Sequence, residues 1–351
     1  MPEETIPQYK VLINGRVLPV EVEADIISVT VSKYTEGSDL FSIEMNNSNS
    51  DKQEYKWLDN DQFAVGTEVE IKMGYTDNLN SLIKGEITGL EPEFHNERAS
   101  ILKVHGYDRL HRFRRGRKTR SFIEKKDSQV VEKVAQDLNL KSQVVDTQIV
   151  HPYLLQNNQT DIDFLLERAW RIRYDLQVED RTLIFQPVAN DRGKTVTLNF
   201  GEKMKSFYPR LTTVGQVSEV IVRGWNPKTK EVIIGSARAG DEVSKMEGNT
   251  TGPELTENAF GVTKTVIVDK YIFSQSEADQ IAKGKYNDMA VNFITGEGTA
   301  IGIPTIAAGD VIELNKLGKR FNGFYYVTSI SHVIHPSKGY EAHFCVERNA
   351  V

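Results

Sequence analysis

The sequence predicts a mainly β protein with an α+β insert, in which two similar β-barrel domains flank a helix-containing middle domain. Three observations lead to this prediction. The chain has 351 residues, more than one hydrophobic core usually serves, so two or three domains are expected. Apolar and polar residues alternate in short segments near both ends of the chain, which is typical of strands. Between these regions the apolar period changes to 3.6, which indicates helices.

Composition limits the possible functions. Hydrophobic residues make up 39% and charged residues 26% of the chain, which is ordinary for a soluble globular protein. No run of about 18 apolar residues is present, so no membrane insertion is expected. The first residues lack the features of a signal peptide. A single cysteine excludes an internal disulfide framework and a multi-cysteine zinc site, and it suits a reducing cytoplasm.

The first predicted barrel covers residues 1–108. Residues 9–31 alternate with period two around Asn14-Gly15, a dipeptide that favours a tight hairpin turn. Further strand-like segments follow at 40–46, 68–75, 81–93 and 100–107. Short strands at this spacing predict a barrel or a sandwich.

Residues 109–122 form a predicted basic linker. Net charge is −11 over residues 1–100 but +8 over residues 101–126, an asymmetry that predicts surfaces meeting surfaces of opposite charge. The candidate protein-interface residues are Arg112, Arg114, Arg115 and Arg117. A solvated linker and a nucleic-acid patch are the alternatives. The acidic chain as a whole and the scarcity of interleaved aromatic residues argue against nucleic acid.

An α+β insert is predicted over residues 123–195. Asp127 or Ser128 can cap a helix whose apolar residues share one face. Thr160 lies three residues before Asp163, an acidic variant of the capping box, and begins a second helix. A small strand hairpin is expected to follow this helix around residues 179–181.

The second predicted barrel combines residues 196–225 with 296–351. An insertion over residues 226–295 interrupts it. Within the insertion, residues 235–261 contain few large apolar residues and many turn formers, which predicts a long loop. A helix is expected to begin at Ser274, where Glu277 completes a capping box.

The second barrel is predicted to repeat the first. Three blocks occur in the same order in both, because residues 65–75 match 308–318, residues 84–94 match 322–334, and residues 99–109 match 339–349. The interval from Gly66 to Gly85 is 19 residues and that from Gly309 to Gly323 is 14, which one longer hairpin loop would explain. Three chains with two such barrels each can form a ring that is nearly six-fold.

Enzymatic motifs are absent from the sequence, which contains no P-loop, nucleophile elbow or HExxH helix. Asp161 and Asp163 resemble the paired acids of a glycosidase, but a position at a helix N-terminus explains both carboxylates more simply. His332 and His335 have opposite parity on a strand, so they are expected to lie with His343 as scattered surface residues rather than as metal ligands. No catalytic residue, cofactor or metal site is predicted.

Two long segments resemble a known family. They are "QNNQTDIDFLLERAWRIRYDLQVEDRTLIFQP" and the C-terminal stretch that begins "GEGTAIGIPTIAAGDVIELNKLG". They are similar to the middle and the end of the late control D family, the central hub proteins of contractile-tail baseplates. The same fold forms the N-terminal half of VgrG-type spike proteins. The resemblance implies a hub-protein (VgrG N-terminal-like) architecture and a structural function.

The family resemblance also implies partners and a location. The expected assembly is a homotrimer that joins a six-fold inner tube to a three-fold spike, in contact with other baseplate proteins. The spike is expected to be a separate chain, and assembly is expected in the bacterial cytoplasm, as part of a phage tail, a tailocin or an injection system. Two alternatives are a tail-associated enzyme acting on peptidoglycan or polysaccharide, and a nucleic-acid-binding β-protein that uses Arg109–Arg120.

Overall fold

The computed structural model describes residues 6–49, 54–76, 78–96, 99–226, 229–268, 271–335 and 337–351. Within these residues, most strands belong to one 13-stranded sheet whose neighbours are mainly antiparallel. The three longest helices lie in the middle of the chain and beside a small separate sheet. The predicted mainly β fold with a helix-containing middle domain is confirmed.

The strands of the first region enclose one apolar core. A short helix α1 (Val20–Glu23) and a 3-10 turn (Asp61–Phe63) connect strands β1 (Pro7–Ile13), β2 (Arg16–Val17), β3 (Ile26–Tyr34), β4 (Leu40–Asn46), β5 (Ser48–Asn49), β6 (Glu54–Tyr55), β7 (Glu68–Tyr75), β8 (Asn78–Glu93) and β9 (Ile101–Asp108). Inward-facing residues such as Val11, Phe41 and Val104 are fully buried. Ile334 and Tyr340 from the end of the chain complete this core.

The middle region has its own core, formed by two helices and the strands around them. It contains a 3-10 turn (Arg109–Arg114), β10 (Lys118–Lys125), α2 (Asp127–Asp137), β11 (Lys141–Val144), β12 (His151–Gln159), α3 (Asp161–Arg171), β13 (Tyr174–Glu179) and β14 (Thr182–Pro187). The prediction of a linker over 109–122 is wrong. Leu110 and Phe113 are 0% and 1% exposed and pack in this core. The 3-10 turn that carries them is therefore part of the middle region and not a solvated linker.

The last region completes the large sheet and adds a smaller unit. Its elements are β15 (Val196–Asn199), β16 (Met204–Leu211), β17 (Glu219–Asn226), β18 (Glu231–Arg238), α4 (Gly252–Phe260), β19 (Lys264–Ile267), α5 (Gln275–Val291), β20 (Ile294–Ile301), β21 (Val311–Asn315), β22 (Gly323–His335) and β23 (Gly339–Arg348). Strand β17 pairs with β18 and β19 in a separate sheet covered by α5, so the prediction that the second barrel includes residues 196–225 is wrong for residues 219–225.

The long loop predicted over residues 235–261 is also wrong. Strand β18 extends into its start, and helix α4 occupies its end. The sequence signal for α4 is a capping box, in which Thr251 Oγ1 accepts from the Glu254 N–H at 3.3 Å and Glu254 Oε2 accepts from the Thr251 N–H at 2.8 Å. Small residues on the buried side of α4 hide its amphipathic pattern, since Gly252, Pro253 and Thr256 are the residues it buries.

The two halves of the large sheet have the same strand order. In the first half the order is β3-β4-β9-β8-β7, and in the second it is β16-β20-β23-β22-β21. The halves are joined directly, because the later part of β22 pairs with β3. Each of these five strands of the first half therefore has an equivalent in the second.

Hydrogen bonds and bulges show which single residues of the two halves are equivalent. The Gly66 N–H donates to Ile87 O at 2.8 Å, and the Gly309 N–H donates to Val327 O at 2.8 Å. Both glycines have left-handed backbone, with φ of 92° and 91°. Bulges follow Ile87 in β8 and Val327 in β22, and β3 and β16 also carry bulges at equivalent places.

The predicted match of residues 84–94 with 322–334 is wrong by two residues. Blocks 65–75 with 308–318 and 99–109 with 339–349 agree with the pairing, but Gly85 corresponds to Tyr325 rather than to Gly323. The interval differs because β7 and β8 form a longer ladder, which ends at Tyr75–Asn78, and not because of a longer loop. Hydrogen-bond register, which the sequence does not show, decides the alignment.

Candidate assembly interface

The basic segment is largely neutralised within the chain. Arg109 is 4% exposed, and its guanidinium lies 2.7 Å from both Glu68 Oε1 and Asp180 Oδ1. These two carboxylates come from β7 and from the turn between β13 and β14. Arg109 therefore connects the first region to the middle region.

Arg112 has its partner inside the chain as well. Its guanidinium holds both carboxylate oxygens of Glu86, with Nε 2.9 Å from Oε2, and His111 Nε2 lies 3.0 Å from the same oxygen. Burial raises the pKa of Glu86, but the hydrogen bonds from Arg112 and His111 outweigh it and leave the pKa below its usual value. One of the four predicted interface residues is thus an internal ion-pair partner.

The other three predicted interface residues lie at an exposed turn. Arg114, Arg115 and Arg117 are exposed around Gly116, whose φ is 75°. Arg117 donates from Nη1 to Asn158 O at 2.8 Å. Arg114 and Arg115 form no ion pair within the described part of the chain. The basic surface available to a partner is therefore this turn and not the whole segment.

We expect the two groups of arginines to respond differently to charge reversal. Arg114→Glu, Arg115→Glu and Arg117→Glu together should leave the melting temperature unchanged, because exposed pairs contribute roughly 0–1 kcal/mol each. Arg112→Glu should destabilise the chain by more than about 1 kcal/mol, because it places a second carboxylate against Glu86. Thermal unfolding of both variants checks this, and equal melting temperatures would contradict it. Lost baseplate assembly with the triple variant would identify the turn as an interface.

The acidic residues at the start of α3 serve the helix terminus and an ion-pair network. Thr160 Oγ1 accepts from the Asp163 N–H at 3.2 Å, so the predicted cap is confirmed. Asp161 is 2% exposed and lies 2.6 Å from Lys118 Nζ and 2.7 Å from Arg120 Nη2. The two carboxylates therefore do not face each other across an open cleft, as glycoside hydrolysis requires.

The three C-terminal histidines occupy different environments. The expectation that all are surface residues is wrong for His332, which is fully buried and lies 2.8 Å from the Tyr340 hydroxyl and 3.1 Å from Ile306 O. Burial lowers the pKa of His332 to about 4.

In the described part of the chain, no three metal-ligating side chains cluster together. None of the helices in that part has the length and apolar character to cross a membrane.

A buried ionic network joins α2, β12 and α3 to α5. Asp127, at the start of α2, accepts from Arg168 Nε at 2.6 Å and lies 3.0 Å from His151 Nε2. Glu277, at the start of α5, accepts from Arg171 at 2.8 Å and lies 3.4 Å from the other nitrogen of His151. Ser274 caps α5 as predicted, with its Oγ accepting from the Glu277 N–H at 3.2 Å, but the Glu277 carboxylate points into this network. The network fixes the middle region against α5.

This network makes stability depend on pH. Burial lowers the pKa of His151, but hydrogen bonds to Asp127 and Glu277 outweigh it and raise the pKa above its usual value. Stability from the charged imidazole is therefore present below about pH 6.5 and is lost as pH rises through the folded-state pKa. We expect His151→Gln to be destabilising at mildly acidic pH and less so as pH rises. Urea unfolding of both proteins across this range checks it, and a difference independent of pH would contradict it.

Two of the open strand edges of the large sheet, among the described residues, are equivalent to the two strands that join its halves. Strand β16 pairs with β20 on one side only. Strand β8 pairs with β7 over Asn78–Glu86 and with β9 over Gly85–Glu93, so residues 88–93 have no strand on the β7 side. Open edges of this kind are templates for pairing with another chain.

The open edges expose both apolar and charged side chains. The side chain of Glu91 is 71% exposed, Tyr208 is 70% exposed, and Phe94, just after β8, is 55% exposed. Pro92 and Pro209 interrupt the two edges. Proline on an edge strand blocks pairing with unrelated strands, so these edges are protected against indiscriminate association.

The junction between the halves shows how such an edge is covered. Ser331 in β22 lies opposite Ser32 in β3, and their hydroxyl oxygens are 2.7 Å apart. At the β22 bulge, the Thr35 N–H donates to Thr328 O at 3.0 Å. The strand equivalent to β3 is β16, and the segment equivalent to this part of β22 is the open part of β8.

These features define a class of β-rich proteins in which two equivalent sheets are joined edge to edge. Three solved structures share the fold. A 43 kDa tail protein of prophage MuSo2 from Shewanella oneidensis matches with a TM-score of 0.74 and 14% identity, over 97% of this chain and 98% of that one. A tail protein from Neisseria meningitidis matches with a TM-score of 0.70 and 10% identity, over 97% and 96%.

The third structure comes from a secretion system. It is the E. coli c3393 protein, a component of the type VI secretion system, with a TM-score of 0.62 and 11% identity over 97% of this chain and 77% of that one. The expected resemblance to tail hub and VgrG-type proteins is confirmed as a likeness of fold. The chain belongs to the Alg8 N-terminal domain family, whose model matches residues 3–336. No curated protein matches the sequence significantly.

Proposed function

We propose that this protein is a structural baseplate hub subunit of a contractile tail or contractile injection system. Three copies form a ring that is nearly six-fold and joins the six-fold inner tube to the three-fold spike. The likeness of fold to phage tail proteins supports the proposal. One observation carries the proposal. Inside the chain, β3 and the later part of β22 join the two halves, and the equivalent edges, β16 and residues 88–93 of β8, have no neighbouring strand within the described residues.

Strand equivalence identifies which edges meet between copies. Inside the chain, β3 covers the later part of β22. The equivalent contact is β16 of one copy against residues 88–93 of β8 in the next copy. This contact uses two different surfaces, so it is heterologous, and repeating it generates a ring if the rotation closes. Three copies then present six equivalent sheets around one axis.

The side chains at this contact have opposite charges. Following the equal pairings and bulges, Ser32 corresponds to Arg210 and Ser331 corresponds to Glu91. The serine pair inside the chain is thus replaced by a Glu91–Arg210 pair between copies. Opposite charges directly across two strands are favourable, and a pair at an interface also selects the register.

The prolines at the same edges are compatible with this pairing. In the equivalent register Pro92 lies opposite Pro209, and Leu90 lies opposite Leu211. Proline has no N–H to donate, so two facing prolines leave no donor without an acceptor, whereas an ordinary strand opposite either one would lose a hydrogen bond. The edges therefore favour each other over unrelated strands.

The mass of the assembly tests the proposal. We expect light scattering to give the mass of three chains at micromolar concentration, alone or when the spike protein is present. A mass of one or two chains under both conditions would contradict it. In this proposal the trimer assembles in the bacterial cytoplasm and contacts the spike, the inner tube and other baseplate proteins.

A further inference from the structure

A cleft of about 680 Å³ lies where the middle region, α5 and the β3–β22 junction meet. Aromatic residues from four elements line it, namely Tyr34, Trp170, Tyr174 and Tyr326. Carboxylates also line it, and four of them face only two cationic groups, Arg173 and Lys285. The cleft therefore combines aromatic rings with an excess of negative charge.

Arg173 has an unused hydrogen-bond donor in this cleft. The residue is 7% exposed, and its Nη1 has no hydrogen-bond partner within the described part of the chain. Its Nε lies 3.3 Å from Asp288 Oδ1. Buried polar groups almost always have a partner, and Nη1 is itself buried, so a rotation of the Arg173 guanidinium toward the cleft is needed to bring this N–H to an acceptor from outside the chain.

Two carboxylates in the cleft are compensated only in part by the cationic groups of the chain. Glu347 in β23 forms no side-chain hydrogen bond or ion pair within the described residues, and burial raises its pKa to about 7 despite the nearby Arg173. Burial raises the pKa of Asp175 to about 6, although the Tyr326 hydroxyl donates to it at 3.2 Å. A cationic group in the cleft would stabilise both in their ionised forms.

We propose that this cleft binds a basic segment of a partner protein, whose Lys or Arg side chain lies between the aromatic rings and the carboxylates. A backbone carbonyl of the same segment accepts from Arg173 Nη1. Aromatic faces and carboxylates both attract ammonium and guanidinium groups. A metal ion fits less well, because the described residues hold no cluster of metal ligands.

A polypeptide also fits better than a free polyamine. A polyamine can pair with the carboxylates, but it carries no acceptor for Arg173 Nη1. A peptide supplies the cation and the carbonyl together. This proposal does not depend on the trimer, because every residue of the cleft comes from one chain.

Calorimetric titration of the full chain tests the proposal. The probes are acetyl-Gly-Gly-Arg-Gly-Gly-amide, the same peptide with norleucine in place of arginine, and spermidine. We expect saturable binding of the arginine peptide at one site per chain, none of the norleucine peptide, and binding of spermidine that is weaker by about ten-fold or more. No saturable binding of the arginine peptide, or equal affinity for spermidine, would overturn the proposal.

Two variants locate the site. Glu347→Gln keeps the shape of the side chain and should weaken binding of the arginine peptide by about ten-fold or more. Trp170→Leu, at a position that is 49% exposed, should also weaken it without unfolding the chain. The matched control is Glu341→Gln, which lies on the same strand but pairs with Lys205 outside the cleft. Unchanged affinity in both Glu347→Gln and Trp170→Leu would overturn the assignment to this cleft.

Discussion

Arg210→Glu should abolish the trimer, and adding Glu91→Lys should restore it. In the proposed contact Arg210 of one copy lies opposite Glu91 of the next, so the single change puts two carboxylates face to face in each contact. Like charges at an interface cost several kcal/mol, so we expect association to weaken by about a hundred-fold or more. Light scattering of the single and double variants measures this.

The design separates assembly from folding. Arg210 is exposed and forms no ion pair within the described part of its own chain, so the single variant should melt at the temperature of the parent protein. Arg223→Glu, a change at another exposed arginine, on β17 outside the contact, is the matched control and should leave the trimer intact. If Arg210→Glu remains trimeric, or if the double variant fails to reassociate, the pairing of β16 with β8 is wrong.

Asp127→Ala should destabilise the chain by about 3–5 kcal/mol, the range for removing one partner of a buried ion pair. Asp127 is 2% exposed, and Arg168 and His151 on its two sides are 8% and 4% exposed. Removing the carboxylate leaves both of them buried without their main counter-charge. Urea unfolding of the variant and the parent gives the difference in free energy.

Acid unfolding provides a second measurement of the same group. Burial raises the pKa of Asp127, but its hydrogen bonds and ion pairs with His151 and Arg168 outweigh this and bring the pKa to about 2. The stability from this carboxylate is therefore present above about pH 4 and is lost as pH falls toward 2.

Asp137→Ala is the control for Asp127→Ala. Its partners Lys133 and Arg120 are more exposed, so its removal should cost no more than about 1 kcal/mol. Equal losses of unfolding free energy in the two variants would show that the buried network stabilises the chain no more than an exposed ion pair does.

Local signals in the sequence were sufficient for most elements. Alternation with period two predicted the strands of the first region, and Thr160 and Ser274 marked the starts of α3 and α5, because a hydroxyl that caps a helix acts within three residues of itself. The repeat was also visible from the matched glycines Gly66 and Gly309, which both have the left-handed backbone that favours glycine. Helix α4 was missed because its buried side carries small residues and its signals, the capping box and Pro253, lie only in its first turn.

Tertiary structure alone decided the roles of the charged residues and the edges. The sequence shows that residues 109–122 are basic, but Glu68, Glu86 and Asp180, which neutralise Arg109 and Arg112, come from other strands and turns. Period two determines which side chains face the core, but it does not determine which strands are neighbours. The open sides of β8 and β16 therefore appear only when the sheet is assembled, because an edge is defined by the absence of a neighbouring strand.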